Sequence, residues 1–182
     1  MSKTVVLLFL AFLSFQSIQG QDKYFTRTGS ITFESSVPTF EEVKATNDKV
    51  SAVLTSDGNF ACALNMVGFR FKIRLMEEHF NENYIESKKY PKATFKGKLT
   101  DFQLSKLSEA FQDFEIKGTL TMRKKAVETT ATCSLKMEGG KIVMKTNFRV
   151  KPESFAIEIP SIVRKKIAED VDISATFILS KN

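Results

Sequence analysis

The chain has 182 residues, a length that suits one domain built around one core. Its formal net charge is +6, but 27 basic and 21 acidic residues interleave along the sequence, which argues against a nucleic-acid partner. A single histidine excludes a multi-histidine metal site and weakens any serine–histidine catalytic arrangement.

The first twenty residues are typical of a secretory signal peptide. Lys3 is their one positive charge, residues 5–15 are almost wholly apolar, and small and polar residues follow up to Gly20. The apolar run is too short for an ordinary transmembrane helix. The sequence therefore predicts a signal peptide over residues 1–20 and an exported domain over residues 21–182, periplasmic or secreted, with no stable membrane span after cleavage.

The first half of the predicted domain alternates apolar and polar side chains. Residues 25–33 and 43–55 indicate two strands, because successive side chains of a strand point to opposite faces. Asp57-Gly58 predicts a tight turn before a third stretch of strand over residues 60–75. Gly68 interrupts that stretch and indicates a bulge or a barrel bend.

The alternation stops over residues 76–89. Met76, Phe80 and Tyr84 recur there at helical spacing, which predicts a helix with one apolar face. A further strand follows over residues 93–99.

The last third of the chain alternates almost without a break. Gly139-Gly140 predicts a two-residue hairpin turn, and Ser161 is a plausible N-cap for a short basic helix over residues 161–168. Four half-buried strands are predicted over residues 114–122, 131–137, 142–150 and 171–179. The fold is therefore all-β and antiparallel, and such a sheet must either close on itself or pair with a second sheet.

If the sheet closes, the apolar side chains on alternate positions of each strand line the interior. A barrel of eight strands is wide enough either to be filled by side chains or to hold one small ligand, and the residues alone leave both open. The candidate ligand contacts are the inward-facing residues Phe33, Phe60, Leu64, Phe69, Phe71, Phe95, Gly97, Phe114, Ile116, Gly118, Leu120, Phe148, Phe155, Ile157 and Phe177. The two glycines are expected to leave vacant space inside the barrel.

Several motifs occur together in one order along the domain. They are LMEEHF over residues 75–80, YPKATFKG over 90–97, IKGTLT over 116–121, FAIEIP over 155–160 and EDVDI over 169–173. Taken jointly, they resemble the YceI-like domain family. The resemblance implies a lipocalin-like antiparallel β-barrel of about eight strands with one or two short helices. It also implies export and, as in some members, a polyisoprenoid chain bound inside the barrel.

One turn departs from the family pattern. The family usually has His-Gly after the IKGTLT-like strand, where this chain has Met122-Arg123-Lys124-Lys125. Arg123, Lys124 and Lys125 are candidate contacts for a ligand head group, and residues 88–89 and 164–166 are further basic clusters. Each cluster lies at a turn or helix, where an ordinary solvated surface explains it more readily than a ligand contact.

The two cysteines, Cys62 and Cys133, both lie on the apolar parity of their strands. In an exported chain they could form one disulfide if their strands are adjacent or face each other. They could equally be two buried free thiols that pack as small hydrophobic side chains.

The expected function is binding rather than catalysis. No catalytic motif is found, and the single histidine, His79, is expected to be structural or on the surface. The predicted partner is an apolar or amphiphilic small molecule, such as an isoprenoid or fatty-acyl chain, with no nucleic acid and no cofactor. The alternative is a secreted barrel with a filled core that acts as an interaction or stress-protective module without a bound lipid.

Overall fold

A computed structural model describes residues 22–182 of the protein, so the signal peptide predicted over residues 1–20 lies outside the described residues. Nine antiparallel strands make up most of this part of the chain. Their bounds are β1 (Lys23–Ser36), β2 (Lys44–Thr55), β3 (Asn59–Asn65), β4 (Arg70–Phe71), β5 (Lys92–Leu99), β6 (Gln112–Met122), β7 (Lys125–Glu138), β8 (Lys141–Val150) and β9 (Ile167–Lys181).

The sheet closes into a barrel, as predicted. The strand order is β1-β9-β8-β7-β6-β5-β3-β2, and β1 pairs with both β9 and β2, which joins the two ends of the sheet. The two-residue strand β4 pairs with β2 beyond the end of β3, after a 3₁₀ turn over Met66–Gly68. The barrel therefore has eight strands around its circumference. The interruption predicted at Gly68 is this 3₁₀ turn.

The predicted turns lie where the strands reverse. Gly139 and Gly140 join β7 to β8 with φ angles of +55° and +76°, and Gly58 follows β2 with φ of +85°. A positive φ is readily adopted by glycine, which explains the choice of residue at these turns.

Two short helices lie at one end of the barrel. Helix α1 covers Arg74–His79 and continues as a π-helical turn over Phe80–Tyr84, so the helix predicted over residues 76–89 begins earlier and ends earlier. Helix α2 covers only Ser161–Arg164 because β9 already begins at Ile167, and its N-cap is Pro160, so the prediction of Ser161 as the N-cap is wrong by one residue. No helix among residues 22–182 combines the length and the hydropathy needed to cross a bilayer.

The barrel interior divides into two apolar clusters. One, here called the packed half, lies at the end that carries the β7–β8 turn, and it is closed by fully buried side chains such as Leu54, Leu135 and Phe177. The other, here called the hollow half, lies at the end that carries the helices, and it includes Phe69, Ile85 and Phe155.

Both cysteines belong to the packed half and both are free thiols. Burial raises the pKa of Cys62 to about 11 and that of Cys133 to about 11. A hydrogen bond from the backbone at Phe95 opposes the shift at Cys62, and one from the Thr146 side chain opposes it at Cys133. Of the two states left open by the sequence, the structure has the free thiols.

Candidate functional site: an apolar cavity in the hollow half

The hollow half encloses a cavity of about 480 Å³. Strand side chains of the inward parity form its wall, among them Phe33, Leu120, Phe148 and Ile173. Ala93 also faces this space, and its small side chain leaves room between larger neighbours. The barrel is therefore filled at one end and vacant at the other, so neither of the two sequence-based alternatives describes its whole length.

The helical insert between β4 and β5 forms one side of the cavity. Met76, Phe80 and Tyr84 all line it, which is the apolar face that their helical spacing predicted. The backbone N–H of Ile85 donates to the Phe80 carbonyl over 2.9 Å, the hydrogen bond that defines the π-helical turn. These residues were absent from the predicted ligand contacts. The sequence feature that could have identified them as lining residues is the apolar face of the predicted helix, because such a face must cover another apolar surface.

An aromatic cluster joins the insert to the barrel wall. The ring of Phe80 lies 5.2 Å from that of Phe33, 5.7 Å from that of Phe69 and 5.2 Å from that of Phe71, measured between centroids. The edge-on arrangement of Phe80 with Phe69, at 73° between the ring planes, is of the kind favoured by the ring quadrupole, and the Phe71 ring is tilted at 53°. The cluster fixes the position of the insert over the cavity.

The connection between β8 and α2 supplies a further part of the lining. Phe155 ends a 3₁₀ turn over Pro152–Phe155, and Ile157 follows it; both side chains are buried and line the cavity. Between them, Ala156 takes a left-handed φ of +54°. This residue reverses the chain so that the apolar side chains on either side of it both point inward.

The structure separates the predicted ligand contacts into two groups. Eight of them line the cavity, namely Phe33, Leu64, Phe69, Phe71, Leu120, Phe148, Phe155 and Ile157. The other seven lie on the packed half or against its wall, away from the cavity, namely Phe60, Phe95, Gly97, Phe114, Ile116, Gly118 and Phe177.

The two glycines do not leave vacant space, contrary to the expectation. Gly97 and Gly118 are directly paired on β5 and β6. A Cβ on Gly118 would lie 2.3 Å from the Lys96 carbonyl oxygen and 2.7 Å from the Phe95 ring. The glycines therefore allow close strand contact and make room for the Phe95 ring, which occupies the volume that a ligand was expected to take.

Arg123 is engaged within the protein and is not free to hold a head group. It lies in the β6–β7 turn with φ of +50°, and its guanidinium donates to the carbonyls of Tyr84 (3.1 Å) and Ala156 (2.5 Å). It also forms an ion pair with Glu86 and lies over the ring of Tyr90, 5.2 Å from the centroid. Arg123 thus ties the helical insert to the β8–α2 connection, two segments that bound the cavity.

The other two predicted head-group residues, Lys124 and Lys125, are exposed at the same turn and do not line the cavity.

The titratable side chains Glu41, His79 and Lys166 mark the mouth of the cavity, whereas the one buried polar residue of its lining, Ser35, donates its hydroxyl to the Ala168 carbonyl. Glu41, His79 and Lys166 are exposed and lie at its edge, together with the partly exposed ring of Phe40. The Lys166 ammonium lies 5.9 Å from the centroid of the Phe40 ring, so the segment after α2 contacts the β1–β2 connection across the mouth. Charged groups are therefore confined to the rim of an otherwise apolar space.

A second cavity, of about 510 Å³, is lined mainly by polar and charged side chains of β1, β2, β8 and β9. Its charged side chains are paired with one another: Lys44 with Glu34 at 3.1 Å and Arg149 with Asp172 at 2.6 Å. Because its lining is mostly polar and charged, this second cavity offers little apolar surface to an apolar molecule. Among residues 22–182 no group of histidine, cysteine or carboxylate side chains has a metal-binding arrangement.

The closed antiparallel barrel of eight strands is the lipocalin-like fold that the family resemblance implied. The family model of the YceI-like domain matches residues 24–179. The chain belongs to the YceI-like domain family, which confirms the resemblance seen in the sequence. No curated protein matches the chain in sequence.

Solved structures share the fold at low identity. A polyisoprenoid binding domain from Saccharophagus degradans has a TM-score of 0.76 and 13% identity, covering 90% of this chain and 100% of that one. BcnA from Burkholderia cenocepacia has a TM-score of 0.68 and 16% identity, covering 83% and 96%. A YceI protein from Campylobacter jejuni has a TM-score of 0.59 and 16% identity, covering 79% and 86%.

Proposed function

We propose that the protein is exported and binds an apolar or amphiphilic chain, of the isoprenoid or fatty-acyl class, in the hollow half of its barrel. The observation that carries the proposal is the cavity of about 480 Å³ with an apolar wall and charged groups only at its mouth. Its volume falls within the roughly 300–1,000 Å³ range of small-molecule sites. The family and the polyisoprenoid-binding neighbour support this ligand class.

The energetics suit a chain-like ligand. Each methylene group moved from water into the cavity contributes about 0.8 kcal/mol. About ten such groups contribute roughly 8 kcal/mol, which outweighs an association and ordering cost of about 4 kcal/mol, the low end of its range, and each further methylene adds to the surplus. The wall consists mostly of phenylalanine and aliphatic side chains, and the hydroxyl of the buried Ser35 already donates to the Ala168 carbonyl, so selectivity is expected to follow chain length and shape.

The test is a cavity-filling substitution with a matched control on the neighbouring strand. Ala93 on β5 faces the cavity, whereas Ala63 on β3 is exposed, and the two strands are paired so that Ala63 lies opposite Thr94. Ala93→Phe places a ring in the space for the ligand, and Ala63→Phe adds the same ring to the outer wall. Binding is measured by fluorescence titration with N-phenyl-1-naphthylamine, followed by displacement with farnesol or palmitate.

Wild type and Ala63→Phe are expected to take up the probe and release it to both competitors. Ala93→Phe is expected to bind the probe at least about tenfold more weakly, which corresponds to a loss of about 1.4 kcal/mol. Absence of probe uptake by wild type, or equal uptake by Ala93→Phe when its thermal unfolding shows that it is folded, would contradict the proposal.

A further inference from the structure

Two large apolar side chains are exposed beside the mouth of the cavity. Ile162 on α2 is 85% exposed, the highest value among the large apolar side chains of residues 22–182, and its neighbour Val163 lines the cavity. Phe40, on the opposite side of the mouth, is 44% exposed and lines the cavity itself. Single exposed apolar side chains are common, but here the exposed apolar surface is continuous with the lining of an apolar cavity.

Positive charge follows this apolar surface directly. Arg164, Lys165 and Lys166 are all exposed, and no acidic residue lies between Pro160 and Lys166. The acidic residue on the opposite rim is Glu41, and Glu42, which follows it in the chain, is also exposed. The α2 side of the mouth thus combines an apolar tip with three consecutive cations.

We infer that Phe40, Ile162 and the cations of residues 164–166, here called the mouth surface, dock the protein on an anionic lipid bilayer. Apolar side chains that enter the headgroup region, together with lysine and arginine beside anionic headgroups, are the combination by which proteins bind such surfaces. The inference rests on the proposed function, because an apolar ligand is drawn from a lipid phase. A mouth that opens onto the bilayer lets each methylene group pass into the cavity without exposure to water.

The apolar part of the mouth surface is tested with paired isoleucine variants. Ile162→Ser removes the exposed side chain at the mouth, and Ile178→Ser removes one that is 55% exposed on β9, away from it. Binding is measured by flotation with vesicles of phosphatidylcholine and with vesicles of equal parts phosphatidylcholine and phosphatidylglycerol. We expect wild type to float with the anionic vesicles, Ile162→Ser to partition about tenfold less, and Ile178→Ser to behave as wild type.

The charged part is tested in the same assay. The double variant Arg164→Glu/Lys165→Glu reverses charge beside the mouth, and Lys96→Glu/Lys98→Glu makes the same change on exposed positions of β5. We expect the first pair to abolish the preference for anionic vesicles and the second pair to retain most of it. Added salt is expected to weaken the binding of wild type, because exposed charges are screened.

Several results would overturn the inference. One is that wild type floats with neither kind of vesicle. Another is that Ile162→Ser and Ile178→Ser lose flotation equally. A third is that wild type forms a dimer in size-exclusion chromatography and that Ile162→Ser dissociates it. Titration with N-phenyl-1-naphthylamine without vesicles separates this inference from the proposed function. Uptake of the probe without flotation overturns the docking surface alone, and flotation without uptake overturns the proposed function together with the loading role inferred for the surface.

Discussion

The ring of Phe80 stacks on the ring of Phe33, with 5.2 Å between the centroids and 26° between the planes. Phe33 belongs to β1 and Phe80 begins the π-helical turn, so this contact joins the helical insert to the barrel wall. Both rings also line the cavity. The stability of the insert and the shape of the proposed ligand site are therefore expected to depend on the same contact.

A double-mutant cycle measures this coupling. Phe33→Leu and Phe80→Leu together are expected to destabilise the protein by less than the sum of their separate effects, with a coupling free energy of about 0.5–1.5 kcal/mol. Phe177 lies in the packed half, so Phe80→Leu combined with Phe177→Leu is the control and should be additive within about 0.5 kcal/mol. Urea unfolding gives each free energy. Additivity of the Phe33 and Phe80 substitutions would show that the rings do not stabilise each other.

Arg123 is expected to matter for stability through the segments that it joins. Arg123→Met removes the ion pair with Glu86 and the hydrogen bonds to Tyr84 and Ala156, while the side chain of Glu86 remains partly exposed to water. We expect a loss of about 1–3 kcal/mol in the free energy of unfolding. Arg123→Lys is expected to restore only part of this loss, because an ammonium cannot reproduce the planar set of donors.

Lys125→Met is the control for Arg123→Met, because Lys125 is exposed at the start of β7, directly after the same turn. It is expected to change the free energy of unfolding by less than about 0.5 kcal/mol. Equal effects of the two methionine substitutions in urea unfolding would be inconsistent with a joining role for Arg123.

Gly118→Ala is expected to destabilise the barrel without altering the ligand site. The added methyl group would meet the Lys96 carbonyl, a backbone atom that cannot move aside, and overpacking of this kind costs about 1–3 kcal/mol. Thr121→Ala, on the opposite face of the same strand, is the control and should cost less. Because Gly118 is outside the cavity, the affinity for N-phenyl-1-naphthylamine should stay within about twofold of wild type. Weaker probe binding with unchanged stability would place the ligand at the glycines after all.

The pattern of the sequence was sufficient to predict the strands and the glycine turns, because a period of two follows directly from strand geometry. It left open whether the sheet closes on itself or pairs with a second sheet, and the barrel was implied by the resemblance to the YceI-like domain family. The pattern could not tell the packed half from the hollow half, since both are lined by the same apolar parity. Whether side chains fill the barrel depends on the positions of the rings in three dimensions. Phe95 occupies the space beside Gly118, and a Cβ added at Gly29 would lie 2.5 Å from the Phe177 ring.

The helical insert and the β8–α2 connection show the same limit. Phe80 was recognised as part of a helical face, but the surface that this face covers was not predictable from spacing. The sequence makes Arg123 a candidate head-group contact or an ordinary solvated residue, and only the fold brings it against the carbonyls of Tyr84 and Ala156.

Both thiols are expected to react slowly in the native protein. Burial raises the pKa of Cys62 and Cys133 to about 11, so at pH 8 only about one thiol in a thousand is ionised, and the thiolate is the reactive form. The rate of labelling by Ellman's reagent should therefore rise with pH up to about pH 11. Protein unfolded in urea is the control and should release two equivalents rapidly. Rapid labelling of folded protein at pH 8 would contradict the buried, protonated state.

Photolabelling with a fatty acid that carries a diazirine at the end of its chain tests the central claim most directly, because it reports where an apolar chain lies. We expect labelled peptides from residues 74–85 and 148–159, which surround the cavity, and competition by unlabelled palmitate. Labelling confined to residues of the outer wall, or labelling that palmitate does not reduce, would contradict an apolar chain held in the hollow half.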